Sequence, residues 1–255
     1  MSCSHVNGLR NHSDKPFRPE AGPYGIRGEV LWPSLERART HHAGTHTKPR
    51  EVRRMVTKTP LGAGRRGRDL LLRDGGTVVV RAIEADDMVE LEGLHERMSA
   101  DSLRHRFFGT GTGLAHNYLD HLSRSPRTIA LVGVIGGRIL GLGTAEPLGS
   151  GRAEAAFVVD EESHGLGLGT ILLEQLAVEA RAQDIRELVV EVMCENREML
   201  DVISHAGFAT SSNYAGDTVH VVLKTAADEP QVVASEKRQR VAEENAQTSP
   251  GRMPD

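Results

Sequence analysis

Aromatic residues are scarce in this chain: five Phe, three Tyr and one Trp make up 4% of 255 residues. Hydrophobic residues reach only 38%, against 26% charged, a thin supply for a fully packed chain of this length. It suits one folded unit of roughly 150 residues, which still buries about two thirds of its chain surface. Cysteine is nearly absent. Cys3 stands in a polar stretch and Cys194 in an apolar run, so no disulfide is expected and a reducing compartment is. No hydrophobic run approaches the length of a bilayer span, and MSCSHVNGLRNHS has no apolar signal-peptide core. A cytoplasmic protein without membrane association is the expectation. His41, His42 and His46 have no supporting Cys or carboxylates at ligand spacing, so no metal site is expected.

Net positive charge is missing from the body of the chain and concentrated at its start. Residues 1–75 hold 15 Lys or Arg against 7 Asp or Glu, whereas the whole chain stands at −4. The segment mixes His, Arg, Pro and Gly with few apolar positions, and Leu70-Leu71-Leu72 builds no periodic element. A disordered basic arm is expected over 1–75, suited to weak contact with nucleic acid or an acidic partner. Residues 227–255 read as a second disordered tail, with at most a transient helix over Gln239–Gln247.

Residues 76–226 differ in pattern. Thr77–Ile83 is β-branched and strand-like. Glu84-Ala85-Asp86-Asp87 then opens a helix, with acidic residues where the helix dipole favours them. Ser102–Phe108 and Leu114–Leu122 read as two short helices. Thr128–Ile135 and Arg138–Glu146 flank Gly136-Gly137, a strong hairpin signal, and Pro147–Gly151 reads as a turn. Ala153–Asp160 is a strand, Leu168–Ala182 an amphipathic helix, Glu187–Cys194 a strand and Asn196–Ala206 a helix. Gly207–Tyr214 and Thr218–Lys224 close as strands. Interleaved strands and helices, with antiparallel hairpins early and a β–loop–α–β unit in the middle, predict a mixed α/β domain.

The informative segment is Ala153–Gly169, AEAAFVVDEESHGLGLG. A strand enters a glycine-rich loop and a helix begins at once. Unpaired N–H groups at a helix start, aided by the dipole, favour an anion, and a diphosphate is the natural guest. The G-x-G-x-G spacing fits neither a dinucleotide G-x-G-x-x-G loop nor a phosphate loop with its lysine.

Ser163–Thr170 (SHGLGLGT) resembles the acetyl-CoA loop of the GNAT acetyltransferase superfamily, R/Q-x-x-G-x-G/A, with His164 at the R/Q position and Gly167 and Gly169 at the glycines. Asn196–Phe208 (NREMLDVISHAGF) is similar to the family's N-x-x-(A/M)…G-F segment. The resemblance covers about Thr77–Thr225. Ser99–Gly109 (SADSLRHRFFG) and AEAAFVVD look like the catalytic domains of bacterial protein lysine acetyltransferases. Some of those carry a regulatory domain, for which the first 75 residues are too polar.

The resemblance implies a mostly antiparallel sheet with a splayed central parallel pair. It implies acetyl-CoA as cosubstrate and transfer of its acetyl group to an amine. The amine is first a protein lysine and second a small molecule. An ammonium cannot attack a carbonyl, and a lysine's ordinary pKa is about 10.4, so a base must take its proton. By resemblance that base is Glu154. Phe157, Val158 and Val159 would pair with the pantetheine and hold the carbonyl oxygen as charge develops. His164, Gly165, Leu166, Gly167, Leu168, Gly169 and Thr170 would hold the diphosphate, and Asn196 would touch the cofactor or fix the local turn. Many members place a Tyr acid seven residues after the Asn; here that position is Ile203. Plainer roles stand beside these: Glu154 as a surface carboxylate, Asn196 as a helix cap, Phe107 and Phe108 as ordinary packing. Two competing functions also stand: a non-catalytic acyl-CoA-binding regulator, and a nucleic-acid-associated protein that uses its basic arm.

Overall fold

The computed structural model of the chain describes residues 67–109, 113–226 and 237–242. The basic arm up to residue 66, Cys3 and the three early histidines lie outside them.

Eight strands form one sheet in the order β1-β2-β3-β4-β5-β6-β8-β7. They are β1 (Arg68–Leu71), β2 (Thr77–Ala82), β3 (Ile129–Ile135), β4 (Arg138–Gly149), β5 (Arg152–Val159), β6 (Glu187–Met193), β7 (Thr210–Ala215) and β8 (Thr218–Lys224). Every pairing is antiparallel except β5 with β6. Three helices cover one face: α1 (Met88–Glu96), α2 (Ala100–Phe107) and α3 (Gly113–Ser123). On the other face lie α4 (Leu168–Ala182) and α5 (Arg197–His205). The core is split accordingly. Leu131, Leu140, Leu188 and Val190 meet Leu168, Leu172 and Leu176 of α4, while Val132, Leu142 and Val158 meet Leu91, Phe107 and Tyr118.

Period-2 alternation decides which strand residue faces which layer. Gly133 and Gly141 let α4 press close to the sheet. A Cβ on Gly133 would stand 2.7 Å from Leu168 Cδ1, and one on Gly141 2.8 Å from Leu172 Cδ1. The first turn of α4 is thereby held against β3 and β4.

Four expectations are corrected. The first element among the described residues lies inside the segment assigned to the disordered arm: β1 pairs with β2, and Leu70 and Leu72 are buried. Asp74-Gly75-Gly76 makes the turn between them, and hairpin pairing supplies the partner that the short leucine run lacks alone. Pro147 belongs to β4 opposite Ala153, beside a register irregularity that tolerates its missing N–H; the turn falls at Gly149-Ser150-Gly151. Residues 237–242 are helical, and Arg238 pairs with Glu174 of α4, a tertiary contact that the tail's composition does not announce. Cys194, only partly buried just after β6, is disulfide-bonded where separate thiols were expected.

His95 of α1 is 3% exposed. Its Nδ1–H donates to the Leu91 carbonyl at 2.7 Å, and its Nε2 is buried without a partner. Burial, working against that hydrogen bond and aided by the Arg106 charge, pushes its pKa down to about 4. The unfolded chain therefore takes up a proton near pH 6.5, well before the folded one does. Stability falls as pH drops from about 6.5 to 4, by up to roughly 3 kcal/mol. His95→Leu is expected to leave urea stability at pH 7 unchanged or raised and to flatten this acid limb. A limb of unchanged depth in the variant would assign the loss to other groups.

Candidate active site

The site is built where the parallel pair comes apart. β5 and β6 are partners only at Arg152–Glu187, Ala153–Leu188 and Glu154–Val189. Beyond Glu154 the strands diverge, while β5 stays paired with β4 as far as Val159. Backbone groups on the inner edges of the fork are thus left to a guest. A cleft of about 430 Å³ fills the gap and reaches the loop before α4.

That loop forms one wall. Asp160 caps a short 3-10 turn, Glu161–Ser163, by accepting the Glu162 N–H, and Arg97 holds the same buried carboxylate at 2.9 Å. The chain then passes Gly165 (φ +77°) and Gly167 (φ +87°) into α4. Gly167 is the N-cap residue and supplies no side-chain cap, so the first N–H groups of α4 have no acceptor within the helix and point out of its end. Arg73, from the β1–β2 turn, lies across this point. Its backbone N–H donates to the Leu166 carbonyl at 3.0 Å, and its Nε comes within 3.4 Å of where a Gly167 Cβ would stand.

His164 is turned aside from a simple R/Q role. Its Nε2 faces the Val159 carbonyl at 3.2 Å and its Nδ1 the Glu198 carboxylate at 3.0 Å, so the ring ties the end of β5 to α5. Asn196 caps α5, accepting the Met199 N–H at 3.0 Å, and also borders the cleft.

The opposite wall is α2. Its start is fastened by Glu161, whose Oε1 accepts from Ser99 N–H and from the Ser102 hydroxyl, each at 2.9 Å. These bonds, first that of Ser99, hold the Glu161 carboxyl below its ordinary value. Arg104 pairs with Glu195 after β6. Ser102, His105, Arg106 and Phe108 consequently line the cleft, with Arg106 stacked 4.4 Å over the Tyr118 ring.

The structure gathers Glu154, Phe157, Val158, Val159, His164, Gly165, Gly167, Leu168, Gly169, Thr170 and Asn196 around this one cleft. Leu166 is the exception: it packs against the core and offers its carbonyl to Arg73. Ile203 is 1% exposed in the core and contributes no side-chain acid.

Two bordering residues escaped the sequence reading. Arg73 lies in the segment expected to be a tail, although Asp74-Gly75-Gly76 before a β-branched run is itself a hairpin signal. Glu191 sits inside the apolar run ELVVEVM, where a lone carboxylate was the available sign. Burial, with the charges of Glu154 and Asp217 adding to it and a Thr218 hydrogen bond opposing, pushes Glu191 up to about 7. Among the described residues no group of three or more His, Cys, Asp or Glu could hold a metal ion, and no helix is long and apolar enough to cross a membrane.

Residues 94–208 match the acetyltransferase (GNAT) family. No curated protein matches the chain. Among solved structures, the GNAT domain of S. lividans PAT is 29% identical with a TM-score of 0.57, covering 62% of this chain and 96% of that one. A GNAT-family acetyltransferase from Streptococcus pneumoniae is 20% identical with a TM-score of 0.45, covering 57% and 96%. The yncA protein of Salmonella typhimurium, solved with its cofactor acetyl-CoA, is 16% identical with a TM-score of 0.45, covering 60% and 95%. The family match spans the fork, the glycine loop and α5, and the sheet carries the one parallel pair that the resemblance implied: residues 94–208 are an acetyltransferase domain of the GNAT family, whose enzymes use acetyl-CoA as cosubstrate.

Proposed function

We propose that the enzyme transfers the acetyl group of acetyl-CoA directly to a primary amine, a protein lysine before a small-molecule amine, with Glu154 as general base. The observation that carries this reading is the place of Glu154. It is the last paired residue of the parallel strands, at the vertex of the fork and on the cleft that begins at the α4 loop. The α4 N–H groups and the loop from His164 to Thr170 hold the diphosphate, with Arg73 beside them. The pantetheine runs along Phe157–Val159 in place of the absent β6 pairing. A β5 N–H then faces the thioester carbonyl and stabilises the oxygen as it gains charge. Glu154 removes the ammonium proton, directly or through a water, and the freed nitrogen attacks. With Ile203 in the core, the thiolate leaves without a side-chain acid; a thiol pKa near 8.5 makes it an adequate leaving group. A cytoplasmic location belongs to the same reading, since acetyl-CoA is an intracellular cosubstrate.

Incubation with labelled acetyl-CoA and a cell extract, followed by mass spectrometry of proteins and small amines, tests the acceptor. Label on lysine Nε is the expected result. Label confined to small amines replaces the lysine reading, and label on neither, in a sample that binds acetyl-CoA, overturns amine transfer.

A further inference from the structure

We propose that Glu191 is a second catalytic carboxylate of this site, sharing with Glu154 the removal of the proton from a cationic acceptor amine. The inference rests on the acceptor reading of the cleft given above.

The geometry comes from the fork. Glu154 pairs with Val189, and paired residues of parallel strands share a face. Glu191 lies two residues farther along β6, hence on that same face. Alternation in the core agrees: Ala153, Leu188, Val190 and Val192 pack toward α4, so Glu154 and Glu191 point to the α1–α3 side. With strands about 4.8 Å apart where they are still paired and a rise of about 3.3 Å per residue, their Cα atoms stand at least about 8 Å apart. A nitrogen seated in the fork is within reach of both. Both residues border the cleft.

The third carboxylate of this row is already engaged. Glu146 on β4 is the cross-strand neighbour of Glu154, and His121 Nε2 holds it at 3.1 Å; it does not border the cleft. The groups facing Glu191 are Glu154 from β5, Asp217 from the β7–β8 turn, and its β8 partner His220. His105 and Arg106 of α2 lie across the cleft. His220 is kept toward its neutral form by burial and by Arg152, so it adds little positive charge at neutral pH.

In this arrangement an acceptor R–NH3+ gives one proton to the carboxylate pair. Its lone pair forms the C–N bond, the C–S bond breaks, and the sulfur keeps the electron pair and takes a proton from solvent. The nitrogen loses its second proton on becoming an amide. The net change is R–NH3+ and acetyl-CoA to amide, CoA thiol and one released proton. Two carboxylates also favour an amine that arrives as a cation. A base whose titration lies near the working pH is the more effective one, and Glu191 meets that condition.

The test compares wild type, Glu191→Gln, Glu154→Gln and the double variant. Poly-lysine or spermidine serves as acceptor, and the pH dependence of kcat/KM is the readout. Glu191→Gln is expected to lower kcat/KM about tenfold or more at pH 7 and to move its acidic limb to lower pH. Glu154→Gln is expected to keep a residue of activity that the double variant loses.

A stability measurement separates this from damage to the fold. The raised folded-state pKa means that stability falls as pH rises from about 4.5 to 7, because the unfolded carboxyl ionises first. Glu191→Gln is therefore expected to melt at a higher temperature than wild type at pH 8.5, where the buried charge is gone, and not at pH 4.5. Carbon-13 NMR of labelled glutamate in the wild type, which needs no acceptor, is expected to show the Glu191 carboxyl titrating near neutrality. A Glu191 that titrates below about 5 overturns the proposal, as does a Glu191→Gln enzyme with unchanged rate and unchanged limb. Undiminished Glu154→Gln activity beside a crippled Glu191→Gln enzyme removes Glu154 as base and leaves Glu191 standing. The reverse pattern removes Glu191 and leaves the proposed function intact.

Discussion

Glu154→Gln is expected to lower acetyl transfer at pH 7 by between about 100- and 10,000-fold, the usual range for a positioned general base, with acetyl-CoA affinity within about twofold of wild type. Glutamine keeps the shape and the polar contacts of the side chain but cannot take a proton. The diphosphate loop is a separate wall of the cleft, reached by five further residues of β5 and the turn after it, so cosubstrate binding has no reason to follow. The deficit is expected to shrink as pH approaches 10.4, where the lysine amine sheds its own proton. Steady-state rates from pH 6 to 10, beside calorimetric titration with acetyl-CoA, check both halves. Full turnover at pH 7, or a gap of constant size across that range, removes Glu154 from proton transfer.

Gly167→Val is expected to weaken acetyl-CoA binding by at least about 100-fold. Gly167 begins α4 at φ +87°, a conformation that costs a β-branched residue about 1–3 kcal/mol. The new Cβ would also meet the Arg73 side chain at 3.3–3.5 Å. The strain is relieved by moving the loop, which turns the N–H groups of α4 away from the diphosphate. Hydrogen bonds to charged groups contribute about 1.5–3 kcal/mol each, so misdirecting two of them suffices for the expected loss. Gly136→Val provides the control. Gly136 has φ +59° in the β3–β4 turn, with nothing within 4 Å of its Cβ position. It carries a similar backbone penalty far from the cleft and is expected to leave affinity unchanged. Equal losses in the two variants would mean that general destabilisation, and not the loop, sets binding.

The parts of this molecule legible in sequence are those whose signal is local. Leu168–Ala182 and Thr218–Lys224 appear with the expected bounds, because a long amphipathic repeat and a β-branched alternation are each complete within their own segment. The Gly136-Gly137 turn and the Asn196 cap needed only two to four adjacent residues. β1 was missed for the opposite reason: four residues after a basic stretch make no pattern until Val78 and Val80 pair with them and α4 packs on top. Proline usually breaks a ladder, so the sequence predicts a turn from Pro147, and only the irregularity between Pro147 and Gly149 shows why the strand continues here.

The candidate site divides along the same line. The glycine loop was visible because its chemistry lies in consecutive backbone amides, and Glu154 because it precedes that loop on one strand. Arg73 and Glu191 were not, since their significance depends on which strands become neighbours. Sequence by itself determined the α/β character, the family resemblance and an anion-seeking helix start, all of them properties of short contiguous runs. Tertiary structure decided where β5 and β6 separate, what fills the far wall, and that two glutamates 37 positions apart in the chain face one cleft. Pairing register is a long-range property: it brings distant residues onto one face, and the energy that fixes it is core burial spread over the whole sheet.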